Sequence, residues 1–157
     1  MELINHYDGI IGELELTILR RARGHDLDSF ERLKTIPGIG KVLALTILYE
    51  IHDINRFPRV QEFASYSRLV KCQTSSAGKV KGTSGAKIGN AHLKWAYSEA
   101  SVLFLAKCPE GKKILAPLEK KHGKGKALSI LAHRIGRASY FMLKRKRAFD
   151  VDRFLRS

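Results

Sequence analysis

The chain has 157 residues, of which 29 are Lys or Arg and 15 are Asp or Glu, so its formal net charge is +14. That length suits one domain, or one domain with an appendage, and 44% hydrophobic residues exclude a disordered basic tail because they can fill a core. No apolar run approaches the roughly 18 residues of a membrane span, Met1–His6 lacks the basic start of a targeting signal, and Cys72 and Cys108 are far apart with no CxxC, which argues against a zinc site. These features predict a soluble protein of a reducing compartment, with no membrane partner and a polyanion, nucleic acid first, as its ligand.

The predicted elements are helical from the start. Ile4, Tyr7, Ile11, Leu14 and Ile18 alternate in steps of three and four, the a/d pattern of a helix that meets another helix. That helix is expected to end near Arg23-Gly24. Its stripe suits either packing on its own chain or pairing with a second copy. Asp28-Ser29-Phe30-Glu31 has the spacing of a capping box and opens a short helix through Leu33. Val42–Ile51 is apolar on most faces and reads as a buried helix, and Val60–Val70 resumes a helical pattern with Phe63, Tyr66 and Leu69 inward.

Between Lys71 and Asn90 the character changes. Four glycines (Gly78, Gly82, Gly85, Gly89) alternate with Ser75, Ser76, Thr83 and Ser84 among lysines, which predicts a loop, or two short strands joined by one. A connection this long in a compact domain is functional or disordered. Asn90 then caps a helix through Lys107 with Leu93, Tyr97, Ala100, Val102 and Phe104 toward the core, and helices at Glu110–Lys121 and Lys126–Arg147 follow, separated by Gly123-Lys124-Gly125. The fold class is therefore all-α in the main, with a Gly/Ser/Lys-rich loop.

Charge is segregated along this chain. Residues 1–62 carry 8 basic and 10 acidic side chains, whereas residues 63–149 carry 19 basic and 3 acidic ones. Contact with phosphates gives such separation a reason, because neutralising them releases condensed counterions; the alternative is solubility by net charge, which does not require it. Two local motifs could face those phosphates. Leu33-Lys34-Thr35-Ile36-Pro37-Gly38-Ile39-Gly40-Lys41, ahead of an apolar helix, is similar to a helix-hairpin-helix: Gly38 and Gly40 permit the reversal, and backbone N–H groups with Lys41 can meet an anion. The second is the loop Thr74–Gly82, where Ser75 and Ser76 lie among Lys79 and Lys81, although serines in such loops commonly serve as turn formers. The six histidines show no ligand spacing, and three scattered acids in the basic region cannot converge on two metals, so neither a metal site nor a cofactor is expected in this chain.

The ordered set of segments points to a family. LKTIPGIGK, then Glu50–Phe57, Phe63–Val70, Ser75-Ser76-Ala77-Gly78-Lys79, Ala86–Lys94 and Gly123–Leu128 resemble, in that order, the C-terminal domain of the insertion-sequence transposases that join a RuvC-like DEDD domain to a serine-bearing domain, a family that includes the pilin-gene inverting recombinases. The resemblance covers nearly the whole chain. It implies DNA as partner, a bacterial, nucleoid-associated setting in the cytoplasm, and transposition or inversion of DNA. It places the proposed nucleophile on Ser76, with Ser75 as alternative; beside it, the residues expected to meet nucleic acid are Gly38, Gly40, Lys41, Arg68, Lys79, Lys81, Lys87, Asn90 and Lys94. It assigns Mg2+ to the DEDD domain, and some members also use a guide RNA. Ala77 stands where the family has glycine, Ala86 where it has Ser or Thr, and Lys71 where proline is common. The expected organisation is a linking coiled-coil-like helix over 1–24 and a transposase domain over 25–157, comprising a helix-hairpin-helix at 28–51, a basic loop at 71–89 and a helical part from 90 onward. With Met1 opening directly into the linking helix, a fragment or truncated product is expected, one that binds DNA but does not cleave it alone. The competing reading is a non-catalytic helix-hairpin-helix module that binds DNA or RNA.

Overall fold

A computed structural model of the chain describes the backbone of residues 1–70, 74–76, 79–82 and 88–156, with the side chains of those stretches other than residues 19, 22, 23, 25, 74–76 and 79–82. Within them the order is α1 (Glu2–Lys34), α2 (Lys41–Ile51), a single 3-10 turn (Ile54–Arg56), α3 (Val60–Tyr66), β1 (Thr74–Ser76), β2 (Lys79–Gly82), α4 (Ala91–Lys107), α5 (Gly111–His122), α6 (Lys124–Arg145) and α7 (Val151–Arg156). The chain is mainly helical, as its periodicity predicts, and β1 and β2 form a two-stranded antiparallel hairpin inside the basic segment.

The first helix runs further than its apolar stripe suggests. It continues to Lys34 through a break at Asp26, whose extended backbone (φ −159°, ψ 78°) interrupts the helix. The Asp26 carboxylate accepts from the Ser29 backbone N–H at 2.9 Å. The cap is therefore Asp26, two residues before the predicted capping box, because its side chain reaches the N–H three residues on. Beyond the break, Phe30 and Leu33 are buried, whereas the stripe of Ile4, Tyr7, Ile11, Leu14 and Ile18 stays exposed, with Tyr7 56% accessible. Of the two readings open for the stripe, packing onto its own chain is not what the fold adopts.

The helix stops at Thr35, whose hydroxyl donates to the Arg32 carbonyl at 2.6 Å and accepts from the Phe149 N–H at 2.9 Å. The reversal to α2 places Gly38 at φ +89°, and a Cβ there would lie 2.6 Å from the backbone of Leu103 and Phe104. Gly38 is thus required twice, by its left-handed backbone and by the approach of α4. Gly40, at φ −87°, has open space where a Cβ would be.

α6 is the central element, packed on α4, α5, α3 and α1. Leu131, Ile135 and Ser139 on α6 meet Leu93, Tyr97, Ala100 and Phe104 on α4, all buried. The Tyr97 hydroxyl lies 2.6 Å from Ser139 Oγ, which donates to the Gly136 carbonyl, so the phenol at the centre is satisfied. Burial, against that hydrogen bond, raises the Tyr97 pKa well above its ordinary value. The Tyr140 hydroxyl donates to the Phe57 and Pro58 carbonyls, tying α6 to the chain reversal before α3. Asn90 caps α4 by accepting from the Leu93 N–H at 2.9 Å, and Gly123 (φ +78°) separates α5 from α6.

Four boundaries and faces depart from the sequence reading. α3 ends at Tyr66 rather than Val70 because Arg68 turns left-handed (φ 54°). α6 spans Lys124–Arg145, closing on a left-handed Lys146. Val102, placed in the core by periodicity, lies outward. α7, not anticipated, docks through Phe154 against Phe104 and Phe149, with ring centroids 5.3 and 5.2 Å apart, and its Phe154 carbonyl accepts from Arg134.

His133 on α6 is half-buried, and burial together with the neighbouring Arg137 charge lowers its pKa from 6.5. The unfolded chain therefore takes up this proton at a higher pH than the folded one, and stability falls as pH drops through the unfolded value. Urea unfolding is expected to show a lower midpoint at about pH 5.5 than at about pH 7.5, with His133→Gln removing part of that difference. A pH dependence identical in the variant would place the responsible protons elsewhere.

Candidate nucleic-acid interface

The described residues of the basic segment form a hairpin. β1 and β2 pair Ser75 with Val80 and Ser76 with Lys79, with an irregularity between Thr74 and Ser75. Ser75 and Ser76 thus sit on the first strand, and Lys79 and Lys81 on the second. Their side chains, and Lys87 altogether, lie outside the described residues.

Both ends of this segment are fastened to the helical body. The Asn90 backbone N–H donates to the Tyr66 carbonyl at 2.6 Å, and Arg68 Nε donates to the Ile88 carbonyl at 3.1 Å. Asn90 Nδ2 donates to Glu50 at 2.5 Å and reaches the Tyr66 hydroxyl at 3.4 Å, while its Oδ1 caps α4. One amide thereby joins the ends of α2 and α3 to the start of α4. Gly89 (φ +99°) lies so near that a Cβ would stand 2.6 Å from the Tyr66 carbonyl. Arg56 covers the rings of Tyr66 and Phe57 at 4.4 and 4.6 Å, a cation–π arrangement. The Asn90 amide first, then Arg56, hold the Tyr66 phenol below its ordinary pKa against the opposing effect of burial.

The residues singled out for nucleic acid therefore separate into groups. Arg68 and Asn90 flank the basic segment and are engaged in internal hydrogen bonds. Lys41 is exposed at the start of α2, after Gly38 and Gly40, and Lys94 is exposed in the first turn of α4. Glu50, Tyr66 and Arg56, which complete the fastening around Asn90, have no role that spacing reveals. The segments holding them stand out in the sequence, but a contact across 40 residues leaves no local signal. Further cations lie on α5 and the start of α6: Lys112, Lys113, Lys120, Lys121, Lys124 and Lys126 are exposed and form no ion pair among the described residues. Of the run Lys144–Arg147, Lys144 Nζ reaches the Phe57 carbonyl at 3.3 Å and Arg145 lies over Phe141, so these two serve the fold. No group of three or more His, Cys, Asp or Glu that could hold a metal occurs among the described residues. No described helix is long and apolar enough to cross a membrane.

The model of the Transposase IS116/IS110/IS902 family matches residues 30–115, from the end of α1 to α5, and the chain belongs to that family. It is also similar to the transposase for insertion sequence element IS1111A of Coxiella burnetii (strain RSA 493 / Nine Mile phase I), 31% identical over 93 residues, 59% of this chain and 25% of that protein. The chain spans about a quarter of the length of the curated relative it matches.

Proposed function

We propose that this chain is a DNA-binding domain of a transposase and that its hairpin carries the serine nucleophile of strand transfer, Ser76, with Ser75 as alternative. The observation that carries the reading is the family match over residues 30–115, which includes both the Gly38–Gly40 reversal and the whole basic hairpin. The charge supports it: 19 basic against 3 acidic side chains over residues 63–149 suit a phosphate polymer. The fastened base supports it as well, since a nucleophile on a long connection needs rigid ends to return to one position. In this reading Lys79 and Lys81 of the hairpin, together with Lys87, supply the positive charge that faces the reacting phosphate, while Gly38, Gly40 and Lys41 form a helix-hairpin-helix contact with the DNA backbone. Mg2+ belongs to the acid-bearing domain of the longer proteins and not to this chain, and a guide RNA is a further candidate partner. A homodimer through α1 is consistent with its uncovered stripe.

The binding half of this reading is tested on the chain itself. Replacing Lys79, Lys81 and Lys87 by glutamine is expected to weaken binding to every DNA sequence alike. It should also flatten the dependence of log K on log salt by up to about 0.9 per phosphate no longer neutralised. A slope unchanged in the triple variant would put the phosphates on another face, with the lysines of α5 and α6 next to be replaced.

A further inference from the structure

A helix at a protein surface is normally polar on its outer side, and α2 is not. Its inner side fills the core with Leu43, Ala44, Ile47, Leu48 and Ile51. Val42, Leu45 and Tyr49 continue the apolar pattern outward, where they line a cavity of about 460 Å³ with Trp95 of α4 and Ile18 of α1. Trp95 is 48% accessible and Tyr49 44%. The volume lies within the range of roughly 300–1,000 Å³ usual for small-ligand sites. Two exposed aromatic rings at one cavity suit a flat ring as the guest.

We propose that this cavity takes one unpaired nucleobase of a DNA strand, stacked on Trp95. The site rests on the DNA-binding reading and names the part of the strand that enters. Strand transfer carries a strand from its complement to a new partner, so bases stand unpaired in between, and an unpaired base costs little to draw out of the stack.

The lining matches the separate parts of a nucleotide. The base brings an aromatic face to Trp95 and Tyr49, and N–H donors on its edge to the carboxylates of Glu15 and Glu50. Those acids would repel a phosphate in the same place, whereas a base is uncharged, so they favour the base inside and its phosphate outside. Lys41 and His92, both exposed and part of the same lining, then lie on the side of the phosphate. Glu50 also accepts from Asn90 Nδ2, so the cavity adjoins the point where the chain returns from the basic segment. A carboxylate has acceptor positions for both partners.

Trp95 is the chain's single tryptophan, and its emission reports on the cavity directly. Three DNA duplexes of one sequence are titrated with the full chain at one salt concentration, followed by anisotropy of a labelled strand. One is fully paired, one carries a bulged guanine, and one carries an abasic bulge that keeps the extra phosphate. The guanine bulge is expected to bind at least about ten-fold tighter than the other two, and it alone should quench Trp95. Trp95→Ala, at an exposed position, should keep the helical content and hold affinity for the paired duplex within about two-fold, while losing the preference for the bulge. Trp95→Phe should retain part of that preference, because a smaller ring still stacks.

Equal binding of the guanine and abasic bulges, Trp95 emission unmoved by the guanine, or a preference that survives Trp95→Ala would each overturn the base site and leave the DNA-binding reading standing. An RNA duplex with the same bulge bound more tightly than the DNA one would overturn DNA as the occupant. Failure of every duplex to bind would end the DNA-binding reading and the base site with it.

Discussion

Gly38→Ala is expected to destabilise the chain by about 2–4 kcal/mol, whereas Gly40→Ala two residues later should cost less than about 1 kcal/mol. At Gly38 two costs add. The backbone is left-handed (φ +89°), where an L side chain is strained, and the new methyl would lie 2.6 Å from the α4 backbone at Leu103 and Phe104. Main-chain atoms of a packed helix cannot turn aside as a flexible side chain does, so α2 and α4 would have to separate, loosening the packing of Ile39 and Phe104. At Gly40 the backbone is extended and nothing stands within 4 Å of the added carbon. Urea denaturation of the two variants checks this pair. Equal destabilisation would mean that the reversal itself, rather than its approach to α4, sets the requirement for glycine.

Ser76→Ala, placed in a full-length transposase of this family, is expected to lower strand transfer by at least about a thousand-fold. DNA affinity should change by less than about two-fold, since one hydroxyl adds little to a grip made of many phosphate contacts. In the proposed step Ser76 Oγ bonds to phosphorus as the bond to the leaving deoxyribose oxygen breaks. The serine gives up its proton and the departing oxygen gains one. Alanine offers no oxygen for the new bond, so the effect falls on chemistry and not on binding. Activity retained in Ser76→Ala but abolished in Ser75→Ala would move the role one residue along β1. Activity retained in both single variants and in the double one would end the nucleophile assignment and favour the non-catalytic binding module.

How far the fold is legible in the sequence depends on how local each cause is. Asn90 announces the start of α4 because an amide three residues before an N–H is a short-range cap, and Gly123 announces a break for a similarly local reason. Asp26 and Asp28 both precede suitable N–H groups, so spacing alone favours the wrong one; the choice of Asp26 comes from where Phe30 and Leu33 have to enter the core. Val102 follows the apolar period of α4, yet it lies outward because no other described element covers that side of the helix. α7 is six residues long, too short for periodicity to show, and is held by the ring cluster of Phe104, Phe149 and Phe154.

The candidate site divides in the same way. Arg68 and Asn90 stand out as polar residues flanking a basic segment, and that position is what the fold uses, though through bonds to Ile88, Glu50 and Tyr66 inside the chain. By itself the order of amino acids determined a helical chain, its separation of charge and the place of the basic hairpin, since composition and near-neighbour spacing settle these. Only the tertiary structure decided which of two glycines must be glycine, which polar residues are bonded beside the basic segment and which apolar faces stay uncovered. Helical periodicity is the same whether a face is covered by its own chain or left bare, and only contacts between distant segments distinguish the two.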